Sequence, residues 1–411
     1  MIEHRQQWQW VWLGALGCFV LAGLTGILLR FGMLLGFPGG LQYVNVRHAH
    51  SHLMFLGWVT PALMGLMVAR LPELTGRPFS LQRARQFKTI LLVIFVLALL
   101  AYVPFLLHGY APTMIGGRRL PLSTIAAGLN IVAWYGFIWF YRQETKGVGR
   151  IRPLRLWDAA LMMLILATIG AWGIGLTGVI GFQDPAVSSS LTHLFLDLFA
   201  EGWFVLAVLG LIHAGLPALQ NHKWLRQSED GLVMALPVIF LLGVPTHLLP
   251  MPARLLGSVG ALVVAVALWG QVFVLWQKVA AGWRWPLAFL GLKASANFLM
   301  MIPAVAEWAE RAGLRVPYLH WLLLGFVTLG LMAAAQEVWS HRVVPHVGGV
   351  TAVILLLLIS LMPLTGVWPG SWSGLWTRQF AAWVSIGPVT VVLWFWAQRL
   401  VKRRRVTVKY N

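Results

Sequence analysis

The chain is 411 residues long, 59% hydrophobic and only 10% charged, with a mean hydropathy of +0.76. A soluble domain carries about a quarter charged residues, so these values exclude a soluble globular fold. The single cysteine, Cys18, excludes a disulfide framework and any CxxC or CxxCH motif, so a haem in this chain would be held non-covalently.

Twelve apolar runs of near-spanning length follow one another: 9–30, 48–69, 89–108, 121–141, 156–178, 190–214, 231–249, 255–277, 285–305, 318–338, 345–365 and 380–400. Each approaches the roughly 20 residues that an α-helix needs to cross the hydrocarbon core. The first run is too long for a cleaved signal and is read as a span. The connections around 70–88 and 142–155 are short and basic, and no soluble domain or internal repeat stands out. The expectation is one all-α polytopic domain over 1–411 with a twelve-helix bundle and a basic tail at 402–411. The 23 tryptophans fit aromatic belts at both interfaces.

Charge sets the topology. The net charge of +19 sits between apolar runs rather than in one patch, so it is read as orientation and not as nucleic-acid binding. With the N-terminus inside, 22 of the 31 basic residues fall on the cytoplasmic side, which places both termini in the cytoplasm, as in a bacterial inner-membrane protein. The run Lys402-Arg403-Arg404-Arg405 reads as an anchor on anionic lipid.

The buried polar residues carry the functional expectation. His48, His50 and His52 alternate where the second span begins, with His48 and His52 on one side of a helix and His50 on another. In this topology His193 begins the sixth span, His247 lies near the end of the seventh and His320 begins the tenth, so four spans bring histidine toward the outer face. Neutral imidazole ligates haem iron and copper; the plain alternative is a polar collar at the interface. His193, Asp197 and Glu201 are spaced i, i+4, i+8 along one face, and carboxylates inside a span point to proton, ion or metal chemistry. Asp197 and Glu201 are therefore the candidate catalytic carboxylates, with a structural ladder as the alternative. Lys293 is a candidate partner for them or a snorkelling lysine. His213 and Glu337 read as interface residues, His108 as a minor ligand candidate, and His222, His341 and His346 as solvated.

The stretch His50-Ser51-His52-Leu53-Met54-Phe55-Leu56-Gly57-Trp58, the Leu71-Pro72-Glu73 exit, and histidine on spans two, six, seven and ten together resemble the catalytic subunit of haem–copper oxidases and nitric oxide reductases. The resemblance implies a cytochrome oxidase subunit I-like bundle with a b-type haem between His52, or next to it His50, and His320. It also implies copper or non-haem iron near His193 and His247, with His48 a further metal candidate. The electron donor would be a separate protein or a quinol. The His48-Ala49-His50 stretch also resembles the NnrS family of haem- and copper-containing membrane proteins linked to nitric oxide stress. The sequence departs from the oxidase pattern at three points: Thr246-His247 offers one histidine where the family has two, the tenth span has His320 alone, and Asp197 stands where oxidases often place tyrosine.

Three functions follow as expectations: a redox or O2- or NO-handling haem protein with a reduced ligand set; a metal-ion or proton-coupled transporter using the same cluster; or an assembly subunit without cofactors.

Overall fold

The computed structural model describes residues 5–340, 343–345 and 347–408, without the side chains of 399–408. His341, Arg342, His346 and all of the basic tail's side chains thus lie outside the described residues. The chain is an all-α polytopic membrane protein. Its helices are α1 (Gln9–Leu35), α2 (Tyr43–Thr75), α3 (Leu81–His108), α4 (Leu122–Glu144), α5 (Arg152–Ile180), α6 (Pro185–Ala214), α7 (Lys223–Ile239), α8 (Met251–Leu275), α9 (Ala281–Met300 with Pro303–Arg311), α10 (Arg315–Trp339), α11 (Val347–Leu364) and α12 (Leu375–Gln398). Between α3 and α4 a hairpin pairs β1 (Thr113–Ile115) with β2 (Arg118–Leu120). Its tip is Gly116-Gly117, both at positive φ, as a tight two-residue hairpin turn requires.

Ten of these helices are long and apolar enough to cross a membrane, two fewer than the apolar runs suggest. The 231–249 run is interrupted: α7 begins earlier, on the charged stretch from Lys223, and gives way to short turns after Ile239. Gly243 and Pro245 lie in that exit, and the residue before a proline is pushed out of the helical region. The 285–305 run breaks where Pro303 starts a new helix, and the two arms of α9 meet at 113°.

The chain divides into two compact units, described separately. One comprises Met1–Ala69, Arg85–Ala133 and Met332–Asn411; the other comprises Arg70–Ala84 and Trp134–Leu331. In the first, Trp58 of α2 packs on Trp12 and Phe19 of α1, with ring centroids 5.4 and 5.2 Å apart. In the second, Trp157 of α5 lies where a Cβ on Gly210 of α6 would stand, and its indole N–H donates to the Ala207 carbonyl.

Three spans share a local design that the apolar runs do not reveal. α2, α6 and α10 each widen into a π-helical stretch, at Leu53–Val59, Leu198–Phe204 and Trp321–Thr328. Each stretch directly follows His52, Asp197 or His320. In each, a glycine five residues on (Gly57, Gly202, Gly325) is followed by an aromatic residue. A Cβ on these glycines would meet Cys18 of α1 at 3.1 Å, Met163 of α5 at 2.8 Å and Phe289 of α9 at 2.5 Å. Each π turn therefore lets the preceding span close in against a glycine, and π-bulges of this kind are frequent at functional sites.

Candidate functional site

Polar groups gather at two places. The first lies in the unit holding the start of α2. His50 donates its Nδ1–H to the Ala22 carbonyl of α1 at 2.8 Å. The approach depends on Gly26, where a Cβ would stand 3.0 Å from the ring's Cε1. A carbonyl can only accept, so Nδ1 carries the proton and the neutral ring keeps its lone pair on Nε2. Nε2 makes no hydrogen bond among the described residues.

His52 faces the other way. Its Nδ1–H donates to the His48 carbonyl at 3.0 Å, and its Nε2 accepts from the Tyr110 hydroxyl at 3.2 Å. Phe105 lies against the His52 ring, with centroids 3.9 Å apart, and the His48 ring meets Tyr110 at 4.8 Å. Tyr110 sits on the connection after α3, and partial burial pushes its phenol up to about 12, so it stays protonated at neutral pH. Asn45 holds this connection by donating to the Leu107 carbonyl.

The second gathering is in the other unit. Glu201 is buried; one carboxylate oxygen accepts from Lys293 Nζ at 2.7 Å and the other from the Tyr318 hydroxyl. One turn earlier, Asp197 accepts from Arg315 Nη2 at 3.1 Å, and its second oxygen lies 3.1 Å from His193 Nδ1. Arg315 Nη1 stands 2.9 Å from that same Nδ1 and 3.2 Å from Nε2. A guanidinium only donates, so Arg315 and Asp197 compete for Nδ1: the bare nitrogen accepts from the arginine, the protonated one donates to the carboxylate. Gly243, just past α7, makes room for this arrangement, because a Cβ there would lie 2.0 Å from His193 Nδ1.

Two carboxylates thus meet two fixed cations. The network grades from Arg315, whose side chain is 38% exposed, to Lys293 at 0%. Lys293 is fully enclosed with its partner, so it does not snorkel.

The other expected residues lie elsewhere. His320 is half-buried and donates its Nδ1–H to the Val316 carbonyl at 2.8 Å. It belongs to the unit of Asp197 and Glu201, whereas His48, His50 and His52 belong to the other. His247 is exposed in a short turn and, among the described residues, makes no hydrogen bond to the carboxylates. His213 is wholly buried and hydrogen-bonded to Gln271 at 2.9 Å. Among the described residues no group of three or more His, Cys, Asp or Glu side chains could hold a metal ion.

Comparison with known proteins adds no assignment. No family model matches this chain. No curated protein matches it either.

The residues that sequence reasoning passed over are Arg315, Tyr318, Gly243 and Tyr110. Arg315 counts in the sequence as a topology charge, yet it bunches with Tyr318 and His320 in the first turns of α10. That bunching is the one signal that could have flagged it.

Proposed function

We propose that this chain is a haem-binding integral membrane protein, redox-active and handling O2 or NO, with one b-type haem. What supports the reading is a shared tautomer. His50, His52 and His320 each donate Nδ1–H to a backbone carbonyl. Metal-ligating histidines are held this way, with the lone pair on Nε2 turned to the metal. Of the three at the start of α2, His50 fits best, because Tyr110 already takes His52 Nε2. The proposal therefore assigns His50 as the axial ligand on α2 and keeps His320 on α10 as the ligand that the oxidase resemblance implies. A bound haem would supply one-electron chemistry, with electrons arriving from a separate protein or a quinol.

The chain's own contribution is to hold protons and charge. Glu201 and Asp197 keep their carboxylates against Lys293 and Arg315, and protonating either one frees its cation. In this reading the half-exposed Arg315 end is where protons enter. A copper or non-haem iron at His193, with His247, belongs to the same proposal, and binding there requires Arg315 to leave the His193 ring. The proposal also takes α7 and the bent α9 as the seventh and ninth of twelve spans, in a bacterial inner membrane with both termini cytoplasmic.

Purified protein should show a Soret band and a bis-imidazole reduced spectrum. His50→Ala should abolish or convert it, and His222→Ala should leave it unchanged. An unaltered spectrum in His50→Ala removes that residue from the site. The break in α9 favours a second reading, proton-coupled transport, since discontinuous helices mark many transporter sites. Colourless protein whose vesicles take up protons in an Asp197-dependent way would establish that reading instead.

A further inference from the structure

If His50 takes the haem iron, the other two histidines of the α2 cluster remain, and they share a side of the helix that His50 does not. We propose that His48, His52 and Tyr110 bind one divalent transition-metal ion, of the Zn2+ or Cu2+ class, at the N-terminal end of α2, separate from the haem. The proposal rests on one part of the reading above, that His50 rather than His52 is the axial ligand.

The donor atoms are already spaced for it. His52 Nε2 and Tyr110 Oη lie 3.2 Å apart. Two ligands on one tetrahedral ion, at bonds of about 2.0–2.1 Å, stand about 3.3 Å from each other. His48 is one helical turn from His52, with ring centroids 6.2 Å apart, and its ring meets Tyr110 at 4.8 Å. A rotamer change at His48 brings its nitrogen to the same point, and the ring makes no hydrogen bond among the described residues that would oppose it.

The supporting shell is in place. His52 is oriented by its Nδ1–H bond to the His48 carbonyl and by the Phe105 ring. Orientation by a carbonyl on the second ring nitrogen is how proteins fix a ligating imidazole. Arg47, the adjacent cation, is directed back onto the Tyr43 ring at 5.8 Å. Tyr110 is half-exposed, so an ion reaches the cluster from solvent. On binding, the phenol O–H gives its proton to solvent and the phenolate oxygen joins the ion. Two neutral imidazoles and one phenolate leave a single net positive charge and an open position for water.

The test is equilibrium dialysis of Zn2+ against tag-free full-length protein in detergent, with the Soret band read on the same samples. One tightly held equivalent is expected. His48→Ala and Tyr110→Phe should each weaken it tenfold or more, while His222→Ala, a histidine of the other unit, should not. Cu2+ loaded in place of Zn2+ should show nitrogen hyperfine coupling that diminishes in His48→Ala. Wild-type affinity in both His48→Ala and Tyr110→Phe, or no bound equivalent at all, overturns the site. Loss of the Soret band in His52→Ala also overturns it, because that ring then belongs to the haem. Colourless protein that still binds Zn2+ through His48 and Tyr110 upholds the site while the haem reading fails.

Discussion

Lys293 and Glu201 set the stakes at the scale of single residues. The lysine is fully enclosed, and its ammonium meets the carboxylate at 2.7 Å. Removing one partner of a buried pair leaves an uncompensated charge, whereas replacing both by apolar groups is often tolerated. Lys293→Met should therefore cost about 3–5 kcal/mol, and adding Glu201→Leu should recover much of the loss. Thermal unfolding in detergent across the single and double variants checks this; a double variant that loses the sum of the two single losses would show that the pair is not coupled. His193 is a different kind of residue, since Arg315 and Asp197 compete for one of its nitrogens, and the proton on that nitrogen decides which of them holds the ring.

At the scale of the element, glycine decides how closely spans approach. A Cβ on Gly325 would stand 2.5 Å from the Phe289 ring, while one on Gly17, in α1, meets nothing within 4 Å. Gly325→Ala forces the ring aside and should destabilise by about 1–3 kcal/mol, the usual cost of overpacking. Gly17→Ala should instead stabilise by up to about 1 kcal/mol, because alanine loses less backbone entropy in a helix. Opposite shifts in melting temperature are the expected result, and shifts of the same sign would remove the packing role of the π turn in α10. The same reasoning applies after α7: Gly243→Ala pushes on His193 and should separate its ring from Asp197, seen as a changed imidazole environment by NMR.

At the scale of the whole molecule, the basic residues predict which connections face the cytoplasm. Cys18 is the sole cysteine and is buried, so single cysteines can be introduced against a quiet background. Ser373→Cys, between α11 and α12, should react with a membrane-impermeant maleimide from outside. Asn221→Cys, between α6 and α7, should react only after permeabilisation. The reverse pattern would invert the topology and the proposed proton entry with it.

The membrane character, the helical spans and the face shared by His193, Asp197 and Glu201 follow from the sequence by itself, because hydropathy and the 3.6-residue period are local properties. The same locality places His48 and His52 on one side of α2 and His50 on another. What pairs with those groups was decided only in three dimensions. Glu201 is reached by Lys293 across 92 residues and by Tyr318 across 117, and His50 finds Ala22 only because Gly26 leaves space between α1 and α2. Pro245 signals a kink near the end of the seventh run, but the 113° break within α9 is not legible in the sequence, since the run stays apolar on both sides of it. A periodic pattern fixes the direction in which a side chain leaves its own helix; the neighbour it meets depends on how separate helices pack.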